Sequence, residues 1–325
     1  MTLLRRKFLH LAAGAALAPM LPRRARALDY PVRPVRLVDG FAAGGVVDIV
    51  ARVLCQWLSQ RLGQPFVVDN KPGAATNIAT EEVARAAPDG HTLLWTTTAN
   101  TTNAAIYNNL SFNFIRDIAP VGTIDRFPLV MEVSPAVPAK SVPEFIAYAK
   151  ANPGKINYGT GGIGTIQHVA GELFKFMTGV NLVHVPYRGA ALVLNDLLAG
   201  QVQLSFSPIA SSLGHIRADR LRALAVTGTT RSPALPDVPT VSEFLPGYEA
   251  SAVDGIGAPA NTPADIIDKL NTEVNAALAD PAIQARLADL GSVPLSMSPA
   301  DYRAFIAAET EKWAKVIKFA GIKAD

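Results

Sequence analysis

Two glycine-rich stretches are the parts of this 325-residue sequence best suited to chemistry. They are Asp39-Gly40-Phe41-Ala42-Ala43-Gly44-Gly45 and Gly159-Thr160-Gly161-Gly162-Ile163-Gly164-Thr165. Each follows a short apolar run of strand character and precedes a helical pattern. Backbone N–H groups at a helix N-terminus have no intrahelical partner, and the helix dipole leaves partial positive charge there. Glycine lets a ligand approach that backbone closely, so such turns are ready sites for an anion. Either loop alone is equally well explained as a tight strand-to-helix connection. Two of them, one in each half of the chain, point to a shared cleft that holds a small anion.

Other chemistries find less support. Gly159, Gly161 and Gly164 satisfy the dinucleotide-binding spacing G-x-G-x-x-G, but that fingerprint needs an acid about 20 residues on. Here Asn181 stands in that region, and no Asp or Glu occurs between Glu172 and Asp196. No phosphate-binding G-x-x-x-x-G-K-[ST] occurs, and no Cys/His cluster has zinc-site spacing. His168 and Glu172 lie one helical turn apart without a third ligand nearby, and read as a solvated pair. His91 and His215 read as surface turn residues, and His184 as a strand residue. Ser207 and Ser211 lack a nucleophile-elbow context. The chain is therefore expected not to be an enzyme. Asp48, in the first turn after Gly44-Gly45, is suited to brace the loop by accepting its N–H groups.

These loops must be positioned by alternating strands and helices, which argues an α/β protein with mainly parallel sheets. Val35 to Val38 reads as a strand. Val46, Val50, Val53, Leu54, Trp57 and Leu58 mark a helix that stops at Gly63. Ile156 to Tyr158 is a second strand, and Ile166, Val169, Ala170, Leu173, Phe174 and Met177 share one face of the helix after it. Pro233, Pro236, Pro239 and Pro246 in the stretch that starts at Arg231 mark an extended connector. Thr262-Pro-Ala-Asp265 and Ser298-Pro-Ala-Asp301 read as capped helix starts.

The first 27 residues read as a cleaved export leader of the twin-arginine type, with Arg5-Arg6, an apolar run Leu11 to Leu21, and Ala25-Arg26-Ala27. That run is well short of the roughly 20 residues a membrane-spanning helix needs. The leader holds six basic residues and no acid, leaving 24 basic and 27 acidic residues, net −3. The whole chain's +3 is thus a property of its leader, and the case for nucleic-acid binding lapses. The lone cysteine, Cys55, reads as a small buried hydrophobe.

Taken in order, these residues resemble the Bug-type (TctC-like) family, the periplasmic binding components of tripartite tricarboxylate transporters. The resemblance covers essentially the whole mature chain. It is carried by Gly44-Gly45-Val-Val-Asp48, Asp69-Asn70-Lys71-Pro72-Gly73-Ala74, Asn157-Tyr158-Gly159-Thr160, Gly162-Ile-Gly-Thr165, His168-Val-Ala-Gly171-Glu172-Leu173-Phe174 and His184-Val-Pro186-Tyr187-Arg188-Gly189. It implies an α/β, two-lobed type-II periplasmic-binding (Venus flytrap) fold with two crossover strands, near residues 120–128 and 222–230. Residues 28–123 and 229–325 would form lobe 1, and 124–228 lobe 2. It further implies a small carboxylate ligand (di- or tricarboxylate, amino acid or aromatic acid), a membrane permease as partner, and a periplasmic address. A monomer is expected, with no cofactor and no metal. A sensory receptor without its own permease is the alternative, and an exported hydrolase a weaker one. Ligand-binding residues carried over are Phe41, Gly44, Gly45, Asp48, Thr97, Asn103, Thr160, Gly162, Thr165, His168, Ser207 and Asp254. The chain departs from the family pattern at Gly40 (usually Pro), at Ala74-Ala75-Thr76 (usually richer in glycine), and at Val253-Asp254 (often an aromatic pair). Some relatives have Asp at the position of Ser207.

Overall fold

The strand β1 (Val35–Asp39) is buried at four of its five positions, the pattern of a central strand covered on both faces. The structure, a computed structural model, describes residues 29–187 and 189–323. The leader therefore lies outside the described residues. After β1 come α1 (Val46–Leu62), β2 (Phe66–Asn70), a tight turn at Ala74–Thr76, α2 (Asn77–Ala84), β3 (Thr92–Thr96), α3 (Thr98–Ile106) and the single turn α4 (Phe114–Asp117). The long strand β4 (Ile118–Val133) leads to α5 (Val142–Ala151), β5 (Asn157–Thr160), α6 (Ile166–Thr178), β6 (Val183–Pro186) and α7 (Ala190–Leu198). Then follow β7 (Leu204–Pro208), α8 (Ile209–Arg217), β8 (Arg222–Val226), β9 (Ser251–Pro259), α9 (Ala264–Leu278), α10 (Pro281–Asp289), β10 (Val293–Pro294) and α11 (Pro299–Ala320).

The principal strand order is β2-β1-β3-β9-β4-β7-β5-β6. β1 pairs in parallel with β2 and β3, and β5 in parallel with β6 and β7. β4 belongs to both halves. Its residues up to Pro128 pair antiparallel with β9, and those from Leu129 on pair with β7. The return path is stitched to it there: Leu129 donates its N–H to Thr227 Oγ1 at 2.8 Å, and Thr227 Oγ1 donates to the Ala250 carbonyl at 2.7 Å.

Two apolar clusters flank this junction. Val38, Leu94, Phe114, Tyr302 and Ile306 form one, and Phe145, Phe174, Phe206 and Tyr248 lie at the heart of the other. α11 takes part in both, because Trp313, Val316 and Ile317 from its second half join the latter cluster.

Local signals mostly hold. Gly63 ends α1 in the left-handed conformation (φ 72°), its N–H bonded to Ser59 O. Ser298 caps α11 by accepting the Asp301 N–H. Thr262 does not cap α9: that helix starts after Pro263 without a side-chain cap, and the Thr262 hydroxyl donates to Pro259 O instead. His91 is buried, 6% exposed, rather than a surface residue. His215 is half-buried in the last turn of α8, not in a turn. Among the described residues no helix is long and apolar enough to cross a membrane, and no group of acids, histidines and cysteine is arranged for a metal.

Candidate functional site

Loop 1, between β1 and α1, is held from behind by three side chains. Asp39 accepts the Phe41 N–H at 3.0 Å, and Asp48 accepts the Gly44 N–H at 2.9 Å. The Asn70 amide reaches Asp39, Asp48 and the Phe41 carbonyl, all at 3.1–3.2 Å. Arg52 closes the set on Asp48, and its guanidinium holds that carboxyl below the usual range. Asp39, by contrast, is pushed up to about 6 by burial. No side chain caps α1, because its N-cap is Gly45. Its first-turn N–H groups are therefore without a capping side chain.

The departures at Gly40 and at Ala74–Thr76 meet here. A Cβ on residue 40 would lie 2.5 Å from Thr76 Cβ, so only glycine fits against this threonine. Ala74, Ala75 and Thr76 keep positive φ (45°, 50° and 73°) although none is glycine. Asn103 secures that turn, its amide donating to Ala75 O and Asn77 Oδ1 at 2.7 Å each.

Loop 2, between β5 and α6, is braced by uncharged groups. Gln167 Oε1 accepts the Gly161 N–H at 2.7 Å, and His168 Nδ1 accepts the Gly164 N–H at 3.1 Å. That bond places the His168 proton on Nε2, 4.0 Å from Glu172 Oε1. His168 stacks on His184 of β6 (centroids 3.8 Å apart, planes 11° apart), and His184 Nε2 is 2.7 Å from Thr160 Oγ1. Burial drives His168 down to about 3 and His184 down to about 4, so both rings are neutral. His168 and Glu172 are not a solvated pair: they are 4% and 2% exposed. Glu172 accepts from the Tyr158 hydroxyl and from Lys175, so the polar face of α6 lies on the sheet.

Between the loops is a cleft of about 190 Å³, lined by Phe41 and Val47 from one side and by Ile163, Gly164, Thr165, Ile166 and Gln167 from the other. Thr97, Thr98 and Ala99 at the start of α3, with Ala75, Thr76 and Ala190, complete its walls. Phe127, Pro208, Ala252 and Asp254 from the junction strands form its floor. Of the residues singled out from the sequence, Phe41, Thr97, Thr165 and Asp254 line this cleft. Gly44, Gly45 and Asp48 shape or brace loop 1, and Thr160, Gly162 and His168 do so for loop 2. Asn103 stands behind the Ala75 turn, and Ser207 bonds to Ser205 at 3.0 Å while its neighbour Pro208 faces the cleft. Sequence reasoning passed over Asn70, Gln167, Phe127 and Ala252. The last two carry only the period-two alternation that puts them on the same face as Asp254. A wider cavity of about 310 Å³ lies on the other face of this strand pair, lined by Arg126 and the 228–234 segment, and touches neither loop.

Asp254 is 2% exposed and directly opposite Asp125 across β9 and β4. Burial first, then the neighbouring Asp125 carboxyl, raises its proton affinity well above that of an ordinary aspartate.

An α/β chain whose halves share crossover strands and face one another across such a cleft has the architecture of a periplasmic binding protein. The chain belongs to the tripartite tricarboxylate transporter family receptors (TctC), which it matches over residues 50–322. It is 35% identical to the protein BugT of Bordetella pertussis over 297 residues, covering 90% of this chain and 91% of that one. Among solved structures it superposes on R. palustris Rpa4515 with adipate (TM-score 0.81, 38% identity, covering 91% of this chain and all of the other). MatC of Rhodopseudomonas palustris with bound malate is also similar (TM-score 0.77, 31% identity, 89% of this chain and all of the other).

Proposed function

We propose that this chain is an exported receptor that captures a small carboxylate in the cleft and presents it to the membrane permease of a tripartite transporter. The observation that carries the reading is the cleft itself: two braced strand-to-helix loops face one space, and α1 opens on it without a side-chain cap. Its volume of about 190 Å³ suits a metabolite-sized solute, since pockets for drug-sized ligands run to roughly 300–1,000 Å³. Adipate in Rpa4515 and malate in MatC are small carboxylates of that size.

In this reading residues 28–123 and 229–325 move as one lobe and 124–228 as the other, and closure buries the ligand. Phe41, Thr97 and Thr165 touch it, while Asp48, Asn103, Thr160, His168 and Ser207 act from behind. The receptor works as a monomer in the periplasm, delivered by the twin-arginine route, and catalyses nothing. Thermal-shift and calorimetric screening with small carboxylates tests this, using neutral amides as controls. One-to-one stabilisation without chemical change is expected, and Thr165→Phe should abolish it. Unchanged affinity in that variant would refute the placement of the site, and conversion of the ligand would refute the receptor.

A further inference from the structure

We propose that the cleft selects a carboxylate that also carries a cationic amine, with the amine paired to Asp254. This rests on the carboxylate-receptor reading above and narrows its ligand class. Among the described residues lining the cleft, Asp254 is the only ionisable one, with no lysine, arginine or histidine beside it. Its surroundings add acid rather than base. Asp125 faces it from β4, and the Asp39 carboxyl acts on it from the end of β1. Tyr302 from α11 is engaged with Thr96 at 2.6 Å, and the Trp95 indole N–H is the one influence that opposes the two acids.

A ligand's carboxylate has a partner in this site, the uncapped start of α1. A second carboxylate finds only neutral donors, chiefly the Gln167 amide, whose Nε2 has no hydrogen-bond partner. It would meet an acidic floor in a cleft walled by Phe41, Val47, Ile163, Phe127 and Pro208, where poor solvation strengthens repulsion. An ammonium group removes the conflict, since a buried carboxylate is tolerable when it is paired.

Proton linkage gives a signature. In the empty cleft, burial and the neighbouring acids keep a proton on the Asp254–Asp125 pair. An arriving ammonium displaces that proton, so affinity for an amino acid rises with pH. A dicarboxylate instead needs the proton retained as a donor, so its affinity falls with pH. Asp39, whose own titration lies at about 6, acts on every ligand and is controlled by a simple acid.

The test is calorimetric titration of the chain at pH 5 and pH 8 with matched sets of one carbon length. Each set holds the simple acid, the dicarboxylate, the 2-amino acid and the ω-amino acid, at four, five and six carbons. At pH 8 one amino acid should bind at least about tenfold tighter than its dicarboxylate. Its advantage should shrink at pH 5, with proton release visible in buffers of different ionisation enthalpy. Asp254→Asn should cut the amino acid's advantage over the simple acid by about tenfold or more. Dicarboxylates that bind tighter than amino acids at pH 8 would overturn the inference while leaving the carboxylate receptor standing. If no member of any set binds, the inference fails, and the wider carboxylate screen above decides separately whether the receptor reading stands. The wild-type comparison decides the matter even if Asp254→Asn does not fold.

Discussion

Loop 1 is held from behind by two buried carboxylates and an amide, with an arginine at the surface beyond them, and loop 2 by neutral rings in the interior. Asp48 and Asn70 fix loop 1, with the half-exposed Arg52 outside them. Gln167, His168 and the His184 stack fix loop 2, on a base of Glu172 and Tyr158 that is almost wholly buried. In the first, Arg52 and the half-buried Asn70 can exchange partners with water; the second cannot loosen without disturbing packed rings. Loop 2 is therefore the rigid jaw of the cleft and loop 1 the adjustable one.

The largest effect expected from this contrast comes from adding one methyl group to each side. At Gly171 a Cβ would lie 2.4 Å from Tyr158 Cε2, against a ring with no room to move. Gly171→Ala should cost about 3 kcal/mol in denaturant unfolding, the upper range for overpacking a core. At Gly44 a Cβ would meet nothing within 4 Å, and only its positive φ (87°) opposes the change. Gly44→Ala should cost about 1 kcal/mol. Equal losses would remove the distinction between the jaws.

The same contrast explains what the sequence reveals and what it hides. Loop 1 and its brace are local. Asp48 sits four residues after Gly44, so its role as an N–H acceptor follows from spacing alone. The brace of loop 2 is assembled from β5, α6 and β6. A polar stripe of His168, Glu172 and Lys175 on one helix face looks solvated unless it is known that Tyr158 and His184 cover it. The cleft floor was still less legible. Asp254 stood out as a departure, but its partner Asp125 is more than 120 residues away, and only the strand register brings them together. Thr262 shows the limit of local rules in the other direction: its cap signal is intact, yet its hydroxyl has a better partner in Pro259 O.

A smaller effect of opposite sign is expected beside loop 1. Ala75 holds φ 50° where glycine would be unstrained. Ala75→Gly should stabilise the chain by about 1 kcal/mol, because it removes left-handed strain that Asn103 now holds in place. A loss of stability would mean that the methyl group packs better than the turn is strained.

pH should separate the jaws by sign. Asp39 is raised to about 6, so its contribution is complete below the ordinary aspartate value near 3.9. It is lost as pH rises to about 6. The two histidines are lowered to about 3 and about 4, so theirs is complete above their ordinary value near 6.5. It is lost as pH falls towards 4. In melting curves across pH 4 to 7, Asp39→Asn should remove the decline on the alkaline side. His184→Gln should flatten the decline on the acid side. If His184→Gln altered only the alkaline side, the rings would not be neutral in the folded chain.

The smallest effect should come from Arg52→Met. Arg52 is the most visible ion-pair partner in loop 1, bound to Asp48 through two nitrogens. It is also half-exposed, and solvent screens such a pair strongly. Without it Asp48 still accepts the Gly44 N–H and the Asn70 amide, so the loop keeps its shape. The melting temperature should therefore stay close to that of the parent chain. Asn70→Ala, which breaks the bridge between Asp39 and Asp48, should lower it clearly. Were Arg52 the more costly of the two, the ion pair rather than the amide would hold the adjustable jaw, and added salt would then weaken ligand binding as much as the mutation does.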